Sequence, residues 1–160
     1  MRLRTIGQLT LATAALVAAV TAHAQTPGAP ARTINISVSD PVDGKMSYSL
    51  SRITAKPGER LRIVFFSLGT LPKLVMAHNW LLLRLGIDPK GFADDAAMAR
   101  ETDFIPPKRK AQVIASSILI GPGERDEVSF TVPKVAGKYN YICTFPGHFA
   151  AGMAGELLVK

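Results

Sequence analysis

Apolar and polar positions alternate along much of the chain in short runs, and the alternation predicts strands. Thr33-Ile34-Asn35-Ile36-Ser37-Val38 has period two, as does Met46-Ser47-Tyr48-Ser49-Leu50, so each is expected to bury one face and wet the other. Leu61 to Leu68 is rich in β-branched and aromatic residues, which suit a pleated, half-buried surface. Further strands are expected over 78–83, 113–120, 127–132, 138–143 and 155–159. Lys56-Pro57-Gly58-Glu59 and Gly121-Pro122-Gly123-Glu124 read as turns, because proline presets one backbone angle and glycine adopts angles closed to other residues. Seven or eight short strands with Gly and Pro turns between them predict an all-β protein, a two-sheet sandwich.

Two stretches break the pattern. Phe92-Ala93-Asp94-Asp95-Ala96-Ala97-Met98-Ala99-Arg100-Glu101 predicts a short helix, followed by Ile105-Pro106-Pro107 and the basic run Lys108-Arg109-Lys110, read as solvated surface. Residues 84–112 are therefore expected to form a helical flap inserted on the sandwich. At the amino terminus, Arg2 and Arg4 precede an uncharged apolar run and the small-x-small triplet Ala22-His23-Ala24, the layout of a secretory signal peptide over 1–24. An uncleaved anchor is the alternative. The run is about 15 residues, against the roughly 20 that a membrane span needs. Residues 25–32 read as a flexible leader and 33–160 as one domain, with no membrane span in the mature chain.

Composition narrows the function. Apolar residues make up 48% and charged residues 19%, which excludes a charge-dominated disordered chain. The formal charge of +7 falls to +5 once Arg2 and Arg4 leave with the signal, and a three-residue basic run is too small for a nucleic-acid surface. A single cysteine excludes an internal disulfide, a four-thiolate zinc site and a two-cysteine redox pair.

That cysteine opens the segment carrying the chemistry: Cys143-Thr144-Phe145-Pro146-Gly147-His148-Phe149-Ala150-Ala151-Gly152-Met153. A thiol, an imidazole and a thioether follow one another at the exit of one strand and the entrance to the next. Soft sulfur with nitrogen favours copper over magnesium, calcium or manganese, and two His and one Cys with a long axial Met describe a blue-copper site. The second imidazole must be His78, the one other histidine of the mature chain. Singly, each residue is more often core or surface. Together, every His and Cys of the mature chain enters one ligand set, and a free thiol in an oxidising compartment is a liability unless buried or metal-bound.

Met76-Ala77-His78-Asn79-Trp80 followed by Cys143-Thr144-Phe145-Pro146-Gly147-His148 resembles the azurins, within the blue copper (cupredoxin) family. Leu71-Pro72-Lys73, Leu119-Ile120-Gly121 and Gly123-Glu124-Arg125-Asp126 resemble azurin segments in the same order. The resemblance runs from about Ile34 to the C-terminus. It implies an eight-stranded Greek-key β-sandwich with a helical flap. It also implies a soluble periplasmic electron carrier, not an enzyme, holding one copper ion that cycles between Cu(I) and Cu(II). On it, His78, Cys143 and His148 are equatorial ligands and Met153 is axial. Ala77 stands where azurins place a glycine whose carbonyl approaches the metal. Asn79, Thr144 and Phe145 stand beside the ligands, Asn79 at the position that ties the two ligand loops together. Leu71, Val75, Met76, Pro146 and Phe149 form an apolar electron-transfer patch, with Phe145, Ala150 and Ala151 close by. The implied partners are redox proteins such as c-type cytochromes or a periplasmic oxidoreductase, met by a monomer.

Three departures accompany the resemblance. Four residues separate His148 from Met153 where azurins have three, the spacing of plastocyanin-like and pseudoazurin-like members. The family's disulfide is absent, and a histidine that azurins carry before Leu-Pro-Lys is replaced near Leu68. The places flanking the cysteine, where a multicopper oxidase needs histidines, hold Ile142 and Thr144. A copper chaperone or store is the competing reading, since it uses similar ligands without electron transfer.

Overall fold

The computed structural model describes residues 30–160, so the signal peptide expected over 1–24 and most of the leader lie outside the described residues. Among the described residues are eight strands: β1 (Arg32–Val38), β2 (Arg52–Ala55), β3 (Arg60–Ser67), β4 (Leu81–Leu83), β5 (Val113–Ser116), β6 (Arg125–Thr131), β7 (Gly137–Ile142) and β8 (Ala154–Val159). They form one three-stranded sheet, β1-β3-β6, and one five-stranded sheet, β2-β8-β7-β4-β5. The β1–β3 and β2–β8 pairs are parallel and the others antiparallel. The protein is an all-β Greek-key sandwich.

Alternation sets which side chains meet between the sheets. Leu61, Ile63 and Phe65 of β3 point inward with Ile34, Ile36 and Val38 of β1, while Arg60, Arg62 and Val64 point outward. Across the gap they meet Ile53, Leu82, Tyr141 and Leu157 of the larger sheet. β4 is the exception, with Leu81, Leu82 and Leu83 all buried. Its outer face is covered by the insertion between β4 and β5, so Leu81 and Leu83 join Phe92, Ala96, Phe104 and Ile142 in a second core.

That insertion contains α2 (Pro89–Ala97), which follows the single-turn α1 (Lys73–Met76) in chain order, and two 3₁₀ turns, Arg100–Thr102 and Pro107–Gln112. Asp88 caps α2 by accepting the backbone N–H groups of Lys90 and Gly91, and Pro89 takes the first turn, where a missing N–H costs nothing. Arg109 is not the solvated surface residue expected. Its guanidinium bonds Asp95 at 2.7 Å and Gln112 at 2.8 Å and lies 5.0 Å from the Phe92 ring centroid, tying the second 3₁₀ turn to α2.

Two further differences concern strands. Residues 46–50 do not form one: Met46 and Tyr48 are buried in alternation, but their backbone joins no ladder. Met46 N–H donates to Ala151 O, and Ser37 N–H is taken by the Ser49 hydroxyl. Conversely, β2 lies outside the expected set; four residues of alternation, Arg-Ile-Thr-Ala, are too short to stand out. The strand expected over 78–83 shortens to β4, and that over 113–120 to β5. Their ends survive as one isolated bridge, His78 with Ile120.

The β7–β8 pair explains an obligatory glycine. Gly155 sits opposite Tyr141, and a Cβ built there would overlap the Tyr141 ring. Gly155→Val is therefore expected to destabilise by about 3 kcal/mol, the upper end of ordinary overpacking, with the loss read from urea unfolding. Unchanged stability would mean that the Tyr141 ring moves aside freely.

Candidate metal centre

His78 and Cys143 leave neighbouring strands at the same end of the sandwich. His78 lies just before β4, and its backbone is clamped on both sides by Ile120, with N–H to Ile120 O at 2.9 Å and Ile120 N–H to His78 O at 2.8 Å. Cys143 follows β7 directly. The loop from Cys143 to Met153 then folds on itself: His148 N–H donates to Phe145 O, Met153 N–H to His148 O at 2.9 Å, and Cys143 N–H to Met153 O at 3.2 Å. Gly147 and Gly152 supply the turns at φ of 83° and 105°, angles that side chains disfavour.

These connections bring His78, Cys143 and His148 together. Their ligand atoms all lie within 4.8 Å of one another. Cys143 Sγ is 3.5 Å from His148 Nδ1, and the two imidazole centroids are 4.9 Å apart. All three residues are buried, His148 keeping 4% exposure. Met153, 1% exposed, lies at the closing end of the same loop, and Ala77, 3% exposed, immediately precedes His78.

Buried polar atoms need partners, and those of His78 lack them. Neither ring nitrogen of His78 has a hydrogen-bond partner, a state that costs about 1–3 kcal/mol for an ordinary buried polar group. Burial pushes both imidazoles down to about 4, with His78 adding to the effect on His148 and Asp40 opposing it on His78. Both rings are therefore neutral, with lone pairs to give. Burial pushes the Cys143 thiol up to about 12, against the backbone N–H groups of Asn79 and Phe145, which favour the thiolate. A buried thiolate needs a cation beside it, and two neutral imidazoles make the rest of a soft donor set. The residues present fit one copper ion.

Around them the packing is tight. Asn79 ties the two ligand segments together, its side chain donating to Thr144 Oγ1 at 2.7 Å and accepting from Thr144 N–H at 2.8 Å. The Phe145 ring lies 4.7 Å from the His148 ring and 5.2 Å from Phe104 of the insertion, so the insertion backs the ligand loop. Asp40 accepts from Thr70 N–H, Thr70 Oγ1 and Leu71 N–H, fixing the approach to α1. Lys73 reaches Glu124 at 2.6 Å and Glu124 also accepts Gly121 N–H, which joins α1 to the segment that holds His78.

Of the residues expected in the apolar patch, Leu71, Val75 and Pro146 are exposed, and Met76, Phe145 and Phe149 are half-buried or nearly buried. Leu74, absent from that expected set, is 76% exposed on α1. It lines a cleft of about 840 Å³ with Val75, Phe145, Pro146 and Phe104. Tyr48 is likewise absent from the expected site; an aromatic in an alternating run carries no signal beyond core packing.

A Greek-key sandwich with two imidazoles and a thiol buried at one end defines a single-ion copper-binding protein. The chain belongs to the copper-binding plastocyanin/azurin family, whose model matches residues 36–160. It is 36% identical over 136 residues to the azurin of Pseudomonas aeruginosa, covering 82% of this chain and 90% of that one. Among solved structures, an azurin from the obligate methylotroph Methylomonas sp. strain J is 30% identical with a TM-score of 0.67, covering 80% of this chain and 97% of that one. An auracyanin from Roseiflexus castenholzii is 29% identical, also with a TM-score of 0.67, over 82% and 99%.

Proposed function

We propose that the protein is a soluble periplasmic carrier that moves single electrons through one copper ion held by His78, Cys143 and His148. The observation that carries this reading is the buried donor set, in which His78 has no other partner for either ring nitrogen. Bound copper supplies the one-electron couple between Cu(II) and Cu(I). The chain supplies a frame that holds its donors in place: Ile120 grips the His78 backbone, Asn79 locks Thr144, and Phe145 packs on His148. Donors that do not rearrange between oxidation states keep the barrier to electron transfer low.

Met153, whose backbone bonds those of Cys143 and His148, would add its thioether to the three donors, and the Ala77 carbonyl would make a weak further contact. The apolar rim of Leu71, Val75, Met76, Pro146 and Phe149 is assigned as the electron port, facing partners such as c-type cytochromes or a periplasmic oxidoreductase. Periplasmic location rests on the signal peptide read over 1–24. No helix among the described residues is long and apolar enough to cross a membrane.

The test is the absorption spectrum of the Cu(II) protein. An intense thiolate-to-copper band in the red supports the carrier. Copper binding without that band supports the chaperone or store instead. Met153→Ala is expected to shift both band and potential while copper stays bound by the remaining three. An unchanged spectrum and potential would remove Met153 from the ligand set.

A further inference from the structure

Asn79 has every polar group engaged. Its side chain bonds Thr144 twice, its backbone N–H faces Cys143 Sγ, and its carbonyl accepts a 2.6 Å hydrogen bond from the Tyr48 hydroxyl. The next N–H, that of Trp80, is taken by Ser117 Oγ at 2.9 Å. The peptide between Asn79 and Trp80 is thus gripped at both ends by side chains, and β4 begins only beyond it.

Tyr48 reaches this peptide from the segment that forms no strand. Its ring is fixed edge-on against Phe65 and Tyr141, at centroid distances of 5.9 and 5.4 Å, and it is 3% exposed. Its hydroxyl is the donor in the bond to the Asn79 carbonyl. A buried phenol placed for packing alone gains nothing from its oxygen, which must be desolvated. Here that oxygen meets the residue whose N–H faces the sulfur.

We propose that Tyr48 is a positioning residue of the metal centre: its hydroxyl holds the Asn79 carbonyl, and so keeps the Asn79 N–H directed at Cys143 Sγ. The proposal rests on the copper-site reading for its effect on potential, and on the chain alone for its effect on the Asn79 and Thr144 amides. An N–H donated to the sulfur stabilises negative charge there, more in the reduced centre than in the oxidised one. Loosening it lowers the potential and moves the thiolate-to-copper band to longer wavelength.

The experiment compares Tyr48→Phe with Tyr141→Phe. Each removes one buried hydroxyl bonded to a backbone carbonyl, Asn79 O in the first and Leu50 O in the second. Tyr48→Phe is expected to lower the potential, shift the band to longer wavelength, and, in the copper-free protein, speed amide exchange at Asn79 and Thr144. Tyr141→Phe is expected to lower the melting temperature while leaving potential, band and those amides as they were. Equal shifts in both variants, or a Tyr48→Phe protein changed only in melting temperature, would overturn the proposal. If Tyr48→Phe does not fold, Ser117→Ala frees the other end of the same peptide. A shift in the same direction then supports the proposal, and no shift overturns it. Should the parent protein show no thiolate-to-copper band, the carrier reading fails, while amide exchange in the copper-free chain still decides the role of Tyr48.

Discussion

Cys143→Ser is expected to remove the intense absorption of the Cu(II) protein while leaving the sandwich folded. The colour of such a site comes from charge transfer out of a thiolate, and an alcohol at that position supplies no comparable donor. The fold should survive because its core is elsewhere. Ile36, Leu61, Ile63, Phe65, Trp80 and Leu82 are fully buried between the sheets, outside the ligand loop. A serine hydroxyl would also meet the two N–H groups, of Asn79 and Phe145, that now face the sulfur, so the exchange is expected to cost about 1–2 kcal/mol. Absorption and circular dichroism on the same sample separate the two effects. A Cys143→Ser protein that kept the band would show that the thiol is not the donor; one that lost its β signature would show that the thiol carries more of the fold than its packing implies.

How much of this was legible in the sequence depended on how local the cause was. The candidate loop was readable because Cys143, His148 and Met153 share eleven residues, and His78 was the one imidazole left to join them once His23 is read into the signal peptide. The count of eight strands was right, but for a partly wrong reason. Alternation over 46–50 records burial, and Met46 and Tyr48 do point inward; a strand also needs a neighbour with free N–H and C=O groups in register. That partner is missing at 46–50 and present, as β8, for the less conspicuous β2. The all-buried β4 had no alternation because the insertion covers its outer face. The grip of Tyr48 on Asn79 spans 31 residues; nothing in either neighbourhood announces it. Arg109 looked like part of a solvated run because its carboxylate and ring, Asp95 and Phe92, are supplied by α2 across the insertion.

The second large effect is expected at the rim. Val75→Lys should slow electron self-exchange on the order of a hundredfold while leaving the absorption spectrum unchanged. Val75 is 58% exposed on α1, beside the cleft that Phe145 and Pro146 line, shortly before the chain turns inward at His78. Self-exchange needs two copies to meet through the same surface, so one substitution places two lysines in one encounter. Like charges brought together on a desolvated patch cost several kcal/mol; about 3 kcal/mol corresponds to that hundredfold factor in rate. Added salt should recover part of the loss, because exposed charges are screened over about 10 Å at 0.1 M. The control is Val135→Lys. Val135 is 62% exposed and precedes the start of β7, whereas Cys143 follows its end, so the same charge is added at the far end of the strand. If both lysines slow exchange equally, net charge rather than the patch governs the encounter. If neither does, electrons leave the protein somewhere other than the apolar end where His148 approaches the surface.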